Sequence, residues 1–166
     1  MNTTPTTEEN LKLQVTRVFD APRELVYEAW TDANHFKNWF GAAACDGATL
    51  LSVQMDPRVG GKYRLKTRRA NGEYWTTVGV YREVKRPERL VFTWQFEVDG
   101  SGDDFGEVEP PETLVTLEFR ARGQQTELIL THERFATTQS RDGHHEGWGR
   151  CLDELGKFVG AQTSQR

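Results

Sequence analysis

The chain has 166 residues, 21 of them basic and 25 acidic, for a formal charge of −4. That length fits one domain with a core of its own, and that balance argues against nucleic-acid or anionic-membrane partners, which select clustered Lys and Arg. The nearest such cluster, Lys66 with Arg68 and Arg69, reads as the solvated end of a strand. The N-terminus has neither the basic nor the apolar segment of a secretory signal, and no stretch approaches the roughly 20 apolar residues of a membrane span. Two cysteines, Cys45 and Cys151, are too few for a disulfide framework or a thiolate metal site and suit a reducing, cytoplasmic setting.

Residues 1–10 read as a disordered tail and 11–162 as a single domain. Over 11–19, Leu11, Leu13, Val15 and Phe19 keep a period of two, interrupted by Arg17, which predicts a strand. Pro22 and Glu24 announce a helix whose apolar stripe is Leu25, Val26, Ala29 and Trp30. Thr31-Asp32 caps a second short helix carrying Phe36, Trp39 and Phe40 and stopping at Gly41. A small-residue loop over 42–48 follows.

From residue 49 the chain reads as β-structure. Strands are predicted at 49–55, 62–69, 74–84, 89–98, 113–120 and 126–134. Turn chemistry separates them at Asp56-Pro-Arg-Val-Gly-Gly61, Asn71-Gly72, Arg86-Pro87 and Gly123-Gln124. Strand 89–98 places Leu90, Phe92, Trp94, Phe96 and Val98 on one face, and an acidic, glycine-rich connection over 99–111 reads as solvated and mobile. Trp148, Cys151, Leu152, Leu155, Phe158 and Val159 then mark one face of a closing helix, its start loosened by Gly143, Gly147 and Gly149. The order is β-α-α-β-β-β-β-β-β-α, an α+β fold. An antiparallel sheet of about seven strands, with one apolar face, curls around the closing helix, and an incomplete seal between them would leave an aromatic cavity.

Five Trp, nine Phe and four Tyr are available to line it. The candidate lining is Trp39, Phe40, Tyr63, Trp75, Trp94, His132, Trp148 and Leu152. His132 alternates with Leu128 and Leu130 and so faces the side they face; no nucleophile motif accompanies it, and no catalytic residue is assigned. His144-His145-Glu146 lacks metal-chelating spacing on a helix. The run from Asp99 has Asp104 and Pro110 where a calcium loop needs Gly and Glu. Gly60-Gly61 reads as a turn and Gly79 as a bend in a strand, and no nucleotide cradle forms. No metal and no cofactor are expected.

Dispersed segments carry a resemblance. Arg17-Val-Phe-Asp-Ala-Pro-Arg-Glu-Leu-Val26, Trp39-Phe-Gly41, Asp56-Pro-Arg-Val-Gly-Gly-Lys-Tyr63, Pro87-Glu-Arg-Leu-Val-Phe-Thr-Trp94, Thr126-Glu-Leu-Ile-Leu-Thr-His132 and Gly147-Trp148 with Leu152-Asp-Glu-Leu155 resemble, in order, the START-like (Bet v-like, SRPBCC) superfamily. Within it they resemble the group similar to the activator of heat-shock protein 90 ATPase. The resemblance implies a helix-grip fold with a cavity between sheet and closing helix. It implies no single reaction. The leading expectation is non-enzymatic binding of a small hydrophobic or aromatic molecule by a monomer or homodimer. The alternatives are co-chaperone action on an Hsp90 ATPase and a cyclase- or hydrolase-type enzyme using the same cavity.

Overall fold

A computed structural model describes residues 11–41 and 48–164. The tail at 1–10, Cys45 and nearly all of the loop expected at 42–48 lie outside the described residues.

The chain runs β1 (Lys12–Phe19), α1 (Arg23–Thr31), α2 (Ala33–Phe40), β2 (Thr49–Met55), β3 (Lys62–Arg68), β4 (Thr77–Lys85), β5 (Arg89–Glu97), β6 (Val108–Arg122), β7 (Gln125–Glu133) and α3 (Thr138–Ser164). The strands form one antiparallel sheet in the order β1-β7-β6-β5-β4-β3-β2. Successive hairpins build β2 through β7, and β1 closes the row against β7. This is the helix-grip arrangement, with the order of elements expected from the sequence.

Local chemistry explains the frame. Leu11, Leu13, Val15 and Phe19 are buried, and Arg17, the interruption in their pattern, reaches to 3.6 Å from Asp153 of α3. Asp32 accepts from the backbone N–H groups of Asn34 and His35 at 2.9 and 3.1 Å, satisfying donors that the first turn of α2 leaves unpaired. Trp30, Phe36 and Trp39 interlock at ring separations of 4.8 to 6.3 Å and fix the two short helices against the sheet. Leu152, Leu155 and Val159 of α3 are fully buried, so the C-terminal half of that helix seals against the curled sheet. Gly79 has a local reason: a Cβ there would collide with the Thr93 carbonyl and the Tyr63 ring.

Four boundaries depart from the sequence reading. Strand β4 starts at Thr77 and not at Tyr74, which makes only an isolated bridge to Arg68. Helix α3 begins at Thr138, well before its apolar stripe, and runs through Ser164, past residue 162. Strand β6 starts at Val108, because Glu97 and Phe96 pair with Val108 and Glu109, so residues 108–111 belong to the strand and not to the connection. Val98 leaves the apolar face of β5 and is 54% exposed, since its N–H already turns back to the Glu107 carbonyl.

The connection 99–107 is also anchored. Arg64 and Glu97, on the sheet face turned away from α3, form a fork-to-fork ion pair with both bonds at 2.9 Å, and their side chains are 1% and 2% exposed. Arg64 Nη2 also donates to the carbonyls of Gly102 (2.9 Å) and Gly100 (3.4 Å), while Gly106 N–H donates to Glu97 at 3.0 Å. Burial alone would raise the Glu97 carboxyl. The hydrogen bonds from Arg64 and Gly106 and the charge of Arg64 outweigh burial and hold it below its ordinary range.

Candidate functional site

Where the N-terminal half of α3 passes over β3, β4 and β5, sheet and helix separate. The resulting open cleft has a volume of about 510 Å³, within the range of small-molecule sites. Its floor is a row of rings: Trp75 to Phe96 at 5.5 Å, Phe96 to Trp94 at 6.3 Å, and Trp94 to Trp148 at 5.0 Å. Phe40 at the end of α2, stacked on Phe36 at 4.7 Å, closes one side.

The glycines of α3 make the space. Gly143 and Gly147 lie one turn apart on the wall, and a Cβ built at either meets no atom within 4 Å. Each glycine costs a helix about 1 kcal/mol relative to alanine. Here they hold open the room that side chains would fill.

Four of the eight candidate residues, Phe40, Trp75, Trp94 and Trp148, meet on this cleft. The other four sit in the packing behind it. Trp39 is buried with its indole N–H on the Ala29 carbonyl at 2.9 Å, and Leu152 belongs to the sealed half of α3. Tyr63 donates to the Thr93 carbonyl at 2.6 Å and borders a separate void of only about 20 Å³. Trp94 and Trp148 line both spaces and so form the partition between them. Phe92 and Trp30 also border the small void, which fills with rings the deeper cavity expected from the sequence.

His132 is completely buried just behind the floor. The Trp148 indole can only donate, so its 3.0 Å contact makes His132 Nδ1 an acceptor. Thr113 gives its hydroxyl proton to the Trp94 carbonyl at 2.7 Å, so its oxygen accepts from His132 Nε2–H at 2.8 Å. The same logic fixes His144, on the cleft wall. Its Nδ1–H donates to the Ser140 carbonyl at 2.8 Å and its Nε2 accepts from the Trp94 indole at 3.2 Å. Both imidazoles are therefore neutral, each with both nitrogens engaged, and their rings lie 5.0 Å apart. His145, its sequence neighbour, is exposed.

Burial, with His144 adjacent, pushes His132 well below the ordinary histidine range, and burial lowers His144 against the opposing hydrogen bond to Ser140. Below about pH 6.5 an unfolded chain takes up protons on these rings that the folded protein refuses, so stability is complete above that pH and declines as pH falls. In urea unfolding between about pH 7 and pH 5, His132→Gln, which keeps a donor and an acceptor without titrating, is expected to flatten the decline by about 1.4 kcal/mol per pH unit. A His132→Gln profile parallel to that of the parent would remove His132 as a source of acid sensitivity.

The comparisons agree with this architecture. The family model for activator of Hsp90 ATPase homolog 1-like protein matches residues 20–160. The chain belongs to this family. Among solved structures, protein CV1439 from Chromobacterium violaceum is 26% identical, with a TM-score of 0.74 over 89% of this chain and 96% of its own. The AHSA1 protein SPO3351 from Silicibacter pomeroyi is 23% identical (TM-score 0.74, 91% and 99% covered), and SA2116 from Staphylococcus aureus, described as a protein of unknown function, is 19% identical (TM-score 0.70, 92% and 95% covered). No curated protein matches the chain.

Several residues of this family member's cleft escape a reading by sequence alone. Arg69, Phe96, His144 and the two wall glycines line it, as do Asn71, Gln139 and Arg150. The available signal was the spacing of Gly143 with Gly147 and of His144 with Trp148, each pair four residues apart and so on one helical face.

Proposed function

We propose that this protein binds a small aromatic or hydrophobic molecule, non-covalently and without chemistry, in the cleft between β3–β5 and α3. The observation that carries the reading is the aromatic floor, Trp75, Phe96, Trp94 and Trp148, beneath about 510 Å³ that two glycines keep clear. Soluble domains bury such rings, and Trp75 is left 41% exposed at the mouth. Supporting binding over catalysis, neither histidine has a lone pair left to accept a substrate proton, as a general base must. The description of the family as similar to an Hsp90 ATPase activator favours a second reading, as a chaperone partner. No described helix is long and apolar enough to cross a membrane. The reading includes a cytoplasmic setting, which the chain's two cysteines suit.

The test uses N-phenyl-1-naphthylamine, a neutral aromatic dye, read by transfer from the cleft tryptophans. The parent protein is expected to bind it and to gain about 2.7 kcal/mol of stability at a hundredfold excess over Kd. Gly147→Leu fills the cleft and favours the helix, so it should fold at least as stably and lose the dye. Dye binding that survives the leucine would move the site elsewhere. Native mass spectrometry of fresh protein reports in the same sample any co-purified small molecule and whether the protein is monomer or homodimer. A tightly held protein partner in place of a small molecule would favour the chaperone reading.

A further inference from the structure

We infer that the ligand of this cleft is a flat aromatic molecule carrying one acidic group, held at the mouth by Arg69 with assistance from Arg150. The inference rests on the cleft being a ligand site and specifies the charge of what enters it.

The first argument is the sign of the wall. Acidic residues outnumber basic ones in this chain, 25 to 21, yet among the described residues the cleft is lined by Arg69 and Arg150 and by no Asp or Glu. Both wall and floor histidines are neutral, so the positive charge belongs to the arginines alone. Its field acts across an aromatic floor of low polarity, where a charge interaction is less screened than in water.

Arg69 also has the form of a receptor. Its guanidinium lies 5.5 Å from the centre of the Trp75 ring, and among the described residues no carboxylate lies within ion-pair distance of it. A guanidinium held by an aromatic ring keeps its N–H donors for a carboxylate fork. Glu73, the nearest acid in the sequence, accepts instead from Asn71 Nδ2 at 3.0 Å. Arg150 has a distant partner, Glu146 at 3.8 Å with both side chains exposed, a contact weak enough to be given up. A flat ring system lying along Trp75, Phe96 and Trp94 would bring an attached acid to the Arg69 edge, with Asn71 and Gln139 as neutral donors beside it.

A matched dye pair tests this. 8-Anilinonaphthalene-1-sulfonate has the body of N-phenyl-1-naphthylamine plus one negative charge. The parent protein is expected to bind the sulfonate about tenfold or more tightly than the neutral dye. Arg69→Gln should remove most of that margin without changing the neutral dye's affinity, and Arg150→Gln a smaller part of it. Raising salt from about 0.02 to 0.5 M should weaken only the anionic dye. Equal binding of the two dyes, both abolished by Gly147→Leu, would overturn the acidic ligand and leave the aromatic cleft standing. A preference for the sulfonate that persists in the Arg69→Gln/Arg150→Gln double variant would also overturn it, by placing the anion elsewhere. If neither dye binds, the acidic ligand falls together with the cleft reading.

Discussion

Trp148→Ala is expected to lower the unfolding free energy by about 3–5 kcal/mol, the cost of truncating a packed tryptophan. Trp148 is 3% exposed, its ring lies 5.0 Å from Trp94 and 5.9 Å from Trp30, and its indole N–H donates to His132 Nδ1 at 3.0 Å. Truncation removes the ring, leaves Nδ1 unsatisfied, and merges the cleft with the small void beside Tyr63. Trp148→Phe separates these effects. It restores most of the ring volume and should cost only the orphaned acceptor, about 1–3 kcal/mol. Urea unfolding of the two variants measures both terms. An alanine cost below about 1 kcal/mol would mean that Trp148 is not the wedge between the two spaces.

The same residue shows how far the sequence could be read. Periodicity identified Trp148 as part of an apolar helical face, because its neighbours on that face, Cys151, Leu152 and Leu155, recur at helical spacing. The strand alternation around Leu13 and Val15, the cap at Asp32 and the succession of hairpins were equally local, and they gave the order of elements. What faces Trp148 was not local. His132 lies on β7 and Thr113 on β6, and their meeting depends on register: Val115 pairs with His132, which brings Thr113 to the ring. Nor could spacing reveal that the helix begins at Thr138, since Gly143, Gly147 and Gly149 suppress the helical signal, the first two of them where they open the cleft. Trp39, Tyr63 and Leu152 have the composition of a cavity wall, and only packing against Ala29, Thr93 and the sheet distinguishes core from lining.

Arg64 gives the second large effect: Arg64→Met is expected to destabilise by about 3–5 kcal/mol, because it leaves Glu97 charged and buried without its partner. The two residues are 33 apart in sequence. Alternation along β3 assigns Arg64 to the face opposite Tyr63 and Leu65, which a one-layer sheet would leave in water. The connection 99–107 covers that face, and its backbone supplies the bonds from Gly106 and to Gly100 and Gly102. The pair thus acts as a clamp on an acidic segment, with Glu97 held ionised by the arginine it orients. Removing both charges together, in Arg64→Met/Glu97→Leu, should recover much of the stability lost in either single variant, since buried ion pairs are replaceable by packed apolar side chains. The clamp has a separate readout. In the double variant the Gly102 carbonyl loses its donor and the Gly106 N–H its acceptor, while the Gly100 carbonyl keeps Thr76 Oγ1 at 2.9 Å, so this variant should regain stability in urea and still be cleaved faster by protease within 99–107 than the parent. Cleavage at the parental rate in that variant would show that Thr76 and the ladder of β6 hold the connection by themselves, and that Arg64 serves only to neutralise Glu97.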